Sequence, residues 1–92
     1  MSAKAEIGWR RTSEDGEEYQ VYARRVSGQW RFFERQRRYD SWRAVAVPAL
    51  SDWLELLDAV QRRVQRRLLP PAEADRVRQR IRELFPDAIV PA

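Results

Sequence analysis

The hydrophobic period changes once along this chain, at Pro48, and that change restricts it to a sheet followed by helices. From about residue 7 to residue 47, apolar and polar residues alternate with the two-residue period of a half-buried strand. Short turn signals cut the alternation. Asp15-Gly16 is a two-residue hairpin signal, because both central positions of the favoured turn need positive φ. Ser27-Gly28 is a second turn and Asp40-Ser41 a third, weaker one. Strands are predicted over about residues 7–13, 17–26, 29–39 and 42–48. Connections this short join only antiparallel neighbours, giving a four-stranded meander.

Beyond Pro48 the spacing becomes helical. Trp53, Leu56, Leu57, Val60, Val64 and Leu68 form one apolar stripe. Ser51 is placed to cap this helix, Asp52 and Glu55 suit its first turns, and Arg66 and Arg67 its last. Leu69-Pro70-Pro71 interrupts it, and Pro71 opens a second helix over about residues 71–85. That helix presents Ala74, Val77, Ile81 and Leu84 before Pro86 stops it. The order is ββββαα, an α+β class. The 92 residues are expected to form one domain over residues 7–85, with a flexible N-terminus over 1–6 and a tail over 86–92. A core this small, and a second helix with its own apolar stripe, favour a homodimer.

Composition removes most chemistry. The chain has no cysteine and no histidine, so thiol nucleophiles, thiolate metal sites and the usual general base are absent. Its single lysine, Lys4, lies near the N-terminus. No enzyme activity, cofactor, metal or small-molecule substrate is expected. The start has no apolar run of signal-peptide length, and no apolar stretch is long enough to span a bilayer. No membrane association is expected, and a cytoplasmic location follows by default.

The net charge is +4, and 17 of the 18 basic residues are arginine. Arginine suits phosphate recognition and aromatic stacking better than lysine, although codon usage alone can also favour it. Residues 19–48 carry seven arginines against Glu34 and Asp40, for +5, while residues 1–18 come to −2. The same segment 19–48 holds seven of the ten aromatic residues. Alternation then sorts its side chains between two faces. Tyr19, Val21, Ala23, Trp30, Phe32, Val45 and Val47 are assigned inward, against the first helix. Gln20, Tyr22, Arg24, Arg31, Phe33, Arg35 and Arg37 are assigned outward, with small Ala44 and Ala46 alongside. The opposite phase of the third strand would bury Arg31 and Arg35, at much greater cost.

Guanidinium groups interleaved with exposed rings suit a single-stranded nucleic acid: the arginines neutralise phosphates and the rings stack unpaired bases. The same face can instead be plain solvated surface or a dimer contact. Trp42 is open between core, dimer contact and base platform. The run Arg62-Arg63 and Arg66-Arg67 reads as a solvated helix end, with Asp58 four residues before Arg62 as an intrahelical partner.

The stretch Phe32-Phe33-Glu34-Arg35-Gln36-Arg37-Arg38-Tyr39-Asp40-Ser41-Trp42-Arg43-Ala44-Val45-Ala46-Val47-Pro48, followed by Asp52-Trp53-Leu54-Glu55-Leu56-Leu57, resembles the PUR-alpha and Whirly group, which includes transcriptional positive cofactor four. The pattern shared is a basic strand, a turn, an alternating strand and an amphipathic helix, over about residues 17–68. It departs from the group in its short turn at Asp40-Ser41 and its extra C-terminal helix. The resemblance implies binding of single-stranded DNA or RNA on a sheet face, and pairing of two subunits. The alternative is a non-enzymatic interaction module whose aromatic sheet face docks a partner protein.

Overall fold

A computed structural model describes residues 6–91. The elements are β1 (Glu6–Thr12), β2 (Glu18–Val26), β3 (Gln29–Arg35), β4 (Arg43–Val45), α1 (Leu50–Gln65) and α2 (Pro71–Leu84). The four strands form one antiparallel sheet in the order β1-β2-β3-β4, so the expected ββββαα meander is present. The chain divides into two compact units, Met1–Pro48 and Ala49–Ala92. Of the N-terminal segment expected to be flexible, residues 1–5 lie outside the described residues, and Glu6 opens β1.

Two tight turns set the register of the sheet. At Ser27-Gly28 both residues have positive φ, 54° and 80°, as a two-residue type I′ hairpin requires. The β1–β2 connection differs from the expected two-residue turn. Only Gly16 has positive φ there, at 84°. Gly16 N–H donates to the Ser13 carbonyl (3.0 Å) and Ser13 N–H to the Glu17 carbonyl (2.8 Å), which makes a three-residue loop closed by a glycine bulge. The Ser13 hydroxyl accepts from Glu17 N–H at 3.2 Å.

The third connection falls earlier than the sequence suggests. β3 ends at Arg35, and the turn spans residues 37–40, ahead of Asp40-Ser41. Asp40 Oδ2 accepts from Arg37 N–H (3.0 Å), while Asp40 N–H donates to the Arg37 carbonyl (2.9 Å). An aspartate closing a turn through its side chain needs no glycine, so Arg37-Arg38-Tyr39 hides the turn from pattern reading. The expected fourth strand shrinks to three residues. Val47 precedes Pro48, which lacks a donor and restricts its neighbour, and Val47 is 86% exposed instead of inward.

The faces otherwise sort as the alternation predicts. Ile7 lies opposite Ala23, Trp9 opposite Val21, Ala23 opposite Phe32, and Phe32 opposite Val45. Ile7, Val21, Ala23 and Phe32 are buried, and Trp9 meets Phe32 edge-on at 5.9 Å. This is the apolar face.

In the second unit α1 and α2 pack as a helical hairpin whose buried apolar residues are Trp53, Leu56, Leu57 and Val60 on α1 and Ala74, Val77 and Ile81 on α2. Three expected stripe members fall outside it: Val64 is only half-buried, Leu68 lies beyond the end of α1 and is 66% exposed, and Leu84 is 41% exposed. Ser51 does not cap α1. The N-cap is Ala49, without a side-chain cap, which puts Asp52 in the first turn near the free N–H groups. Pro71 opens α2 as expected. Glu73 is buried and pairs through Oε2 with Arg76 Nη1 at 2.7 Å. In the C-terminal tail the Pro91 carbonyl accepts from Arg78 Nε at 3.1 Å.

α1 ends in a Schellman arrangement: Leu68 N–H reaches the Arg63 carbonyl (2.8 Å) and Arg67 N–H the Val64 carbonyl (2.9 Å). The left-handed position is held by Arg67 at φ 61°, where glycine is usual. Arg67→Gly and Ser27→Gly should therefore each raise stability by about 0.5–1 kcal/mol, because a non-glycine left-handed residue costs roughly 1–2 kcal/mol. Urea unfolding of the two variants checks this.

Candidate nucleic-acid interface

The other face of the sheet is built by the residues between the apolar ones. Register places Tyr22 opposite Phe33, Arg24 opposite Arg31, Gln20 opposite Arg35, and Ala44 opposite Phe33. Six of the seven residues predicted for the site, Gln20, Tyr22, Arg24, Arg31, Phe33 and Arg35, thus share one face. Arg37 does not join them. It lies in the bend after β3, where its Nη1 donates to the Tyr39 hydroxyl at 2.9 Å.

The rings on this face form a cluster instead of separate exposed platforms. Tyr22 and Phe33 stack with centroids 4.9 Å apart and planes 17° from parallel. Trp42, just ahead of β4, meets Tyr22 edge-on at 4.7 Å and 88°. Arg35 lies over the Trp42 ring at 4.2 Å and donates from Nε to Gln20 Oε1 at 2.7 Å. Arg24 lies over Phe33 at 5.7 Å. Tyr22 and Phe33 are half-buried by this packing, while Trp42 keeps 37% of its surface exposed. Each stacked or edge-on pair contributes about 0.5–1.5 kcal/mol beyond its buried area.

Further members of the face lie on β1 and just ahead of β4. Trp42, for which the sequence leaves core, dimer contact and base platform open, joins this face through its contact with Tyr22. Glu6, Gly8 and Arg10 belong to β1, where Ile7 is buried and Glu6 lies opposite Arg24, Gly8 opposite Tyr22 and Arg10 opposite Gln20. Phasing β1 from Ile7 finds all three.

Ion pairing differs between this face and the apolar face, although Arg37, Arg38, Arg66, Arg67 and Arg82 elsewhere also form no ion pair among the described residues. On the apolar face, Glu34 bridges Arg11 (2.6 Å) and Arg43 (3.4 Å), and Arg11 also lies over Tyr19 at 5.0 Å. On the helices, Asp58 pairs with Arg62, as the four-residue spacing predicts, Asp75 with Arg78 and Glu83 with Arg80. Among the described residues, Arg10, Arg24 and Arg31 form no ion pair. Arg35 contacts the neutral amide of Gln20 and the Trp42 ring. Arg24 and Arg31 stand directly opposite each other with like charge. That arrangement destabilises a sheet, by up to about 1 kcal/mol.

Among the described residues no cluster of acidic side chains is arranged to hold a metal ion, and no helix is long and apolar enough to cross a membrane.

The like-charge pair makes a prediction independent of any ligand. Arg31→Glu, which converts Arg24/Arg31 to an opposite-charge pair, should raise stability by about 0.5–1 kcal/mol at low salt. Arg43→Glu, which sets two carboxylates together, should lower it. Denaturant unfolding at two ionic strengths distinguishes the two. Comparison of the chain with protein-family models, curated proteins and solved structures returned no match.

Proposed function

We propose that the arginine face of the sheet binds single-stranded nucleic acid, DNA or RNA, with modest sequence preference. The observation that carries this reading is the set of guanidinium groups with no ion pair among the described residues, Arg10, Arg24 and Arg31, around a ring cluster on one sheet face, with Glu6 the acidic residue opposite Arg24. A polyanion removes the repulsion between Arg24 and Arg31 by placing phosphates between them, and its release of counterions drives association. Trp42 offers unpaired bases a stacking surface. A paired duplex hides its base faces, and its major groove, about 12 Å wide, admits a helix or a two-stranded ribbon but not a four-stranded sheet.

The roles follow from placement. Arg24 and Arg31 hold phosphates. Arg35 is first a positioning residue, fixing the Trp42 ring through their 4.2 Å contact. Phe33 supports Tyr22 by stacking. The resemblance to PUR-alpha-type proteins points the same way, as does its implication of a homodimer, in which two such faces bind one strand with greater avidity.

Fluorescence titration with short single strands and a duplex control, at two salt concentrations, tests the proposal. Single strands should bind at low salt, and the affinity should fall steeply as salt rises. Arg31→Ala should reduce the logarithmic salt slope by about 0.7, one phosphate's worth for a single strand. Phe33→Ala should weaken binding and, because its ring is part of the cluster, also cost about 0.5–1.5 kcal/mol of stability. Duplex binding equal to single-strand binding overturns the proposal. A salt-independent affinity for a protein partner, with no oligonucleotide bound, would favour the docking module instead.

A further inference from the structure

We infer that the depression above Gly8 seats one unpaired nucleobase of a bound strand, an inference that rests on the nucleic-acid reading of this face. Nothing in the local backbone requires glycine at position 8. Its backbone is extended β-strand, a conformation open to any residue. A Cβ at this position would meet the Val21 carbonyl oxygen at 3.5 Å and Tyr22 Cβ at 3.9 Å, ordinary van der Waals distances. Neither φ nor crowding demands glycine, and glycine weakens the interior of a strand.

What the missing side chain does is open space. A depression of about 650 Å³, open on its solvent side, has Glu6, Gly8, Arg10, Gln20, Tyr22 and Trp42 in its lining. Its chemistry fits a flat heteroaromatic ring. Tyr22 and Trp42, with their rings perpendicular, give it aromatic walls, and the strand backbone at Gly8 gives it a bare floor. Gln20, whose Oε1 is already bonded to Arg35, retains amide hydrogens for the polar edge of a base. Arg10 at the rim carries no ion pair among the described residues and is placed for the phosphate attached to that base. Glycine at a strand position where a ligand approaches the backbone is a recurring use of the residue.

The test fills the depression without touching the charged groups. Gly8→Val adds a branched side chain that favours strands, so its thermal melting temperature should equal or exceed that of the wild type. Affinity is measured by fluorescence at low salt for a short single strand and for an abasic strand of equal length and charge. Gly8→Val should weaken binding of the base-bearing strand about tenfold and leave the abasic strand unchanged, since one stacked base accounts for roughly 5- to 150-fold in affinity. Trp42→Leu, which removes a wall, should produce the same base-dependent loss. Unchanged affinity of Gly8→Val for the base-bearing strand overturns the base seat and leaves the arginine face as a phosphate-binding surface. Equal losses on both strands overturn it as well. Failure of the wild-type protein to bind either strand overturns the reading of the whole face, and the base seat with it.

Discussion

The hairpin turn at Ser27-Gly28 determines which residues of β2 and β3 stand opposite one another, and every face assignment in the sheet depends on that register. A two-residue loop with positive φ at both positions leaves no slack, so Ala23 meets Phe32 and Tyr22 meets Phe33. A one-residue slip of β3 against β2 would send Arg31 and Arg35 to the apolar face and Phe32 to the other. The turn itself is not ideal, because Ser27 occupies a conformation that costs a non-glycine residue roughly 1–2 kcal/mol. Side-chain pairing on both faces holds the same register: Phe32 against Ala23 on one, the Tyr22–Phe33 stack on the other.

Given that register, the two faces diverge in how they treat charge. Glu34 neutralises two arginines at the margin of the apolar face, and the arginines of the helices are largely matched by acids three or four residues away. The opposite face leaves Arg24 and Arg31 confronting each other. Such a pair lowers stability in the free protein, and the ring cluster beside it offsets part of that loss. The rings are ordered by contact with one another and with Arg24 and Arg35 before anything binds. A surface ordered in advance loses less entropy on binding than separate mobile rings would.

The fold order was legible because two short-range signals carry it. Alternation and helical spacing are properties of neighbouring residues, and the turn at Ser27-Gly28 and the proline pair at Pro70-Pro71 mark their limits in the chain itself. Six of the face residues followed from the same parity. Boundaries were less legible wherever a contact outside the pattern decided them. The Asp40 side chain moved the third turn to residues 37–40 and removed Arg37 from the face. The first turn of α1 began at Leu50, with Asp52 in place and Ser51 unused as a cap.

Sequence alone therefore determined the element order, the phases of the second and third strands and the concentration of arginine and aromatic residues in one segment, since all three depend only on local spacing and composition. Tertiary structure decided which of those groups neutralise one another. Glu34, Arg11 and Arg43 come from three strands, and only strand pairing sets their carboxylate and guanidinium groups within 4 Å. It also decided that Tyr22, Phe33 and Trp42 would join as a cluster, and that the space above Gly8 would remain open beside it. Parity assigns a side chain to a face. Distance across strands, which parity does not contain, determines what that side chain touches once it is there.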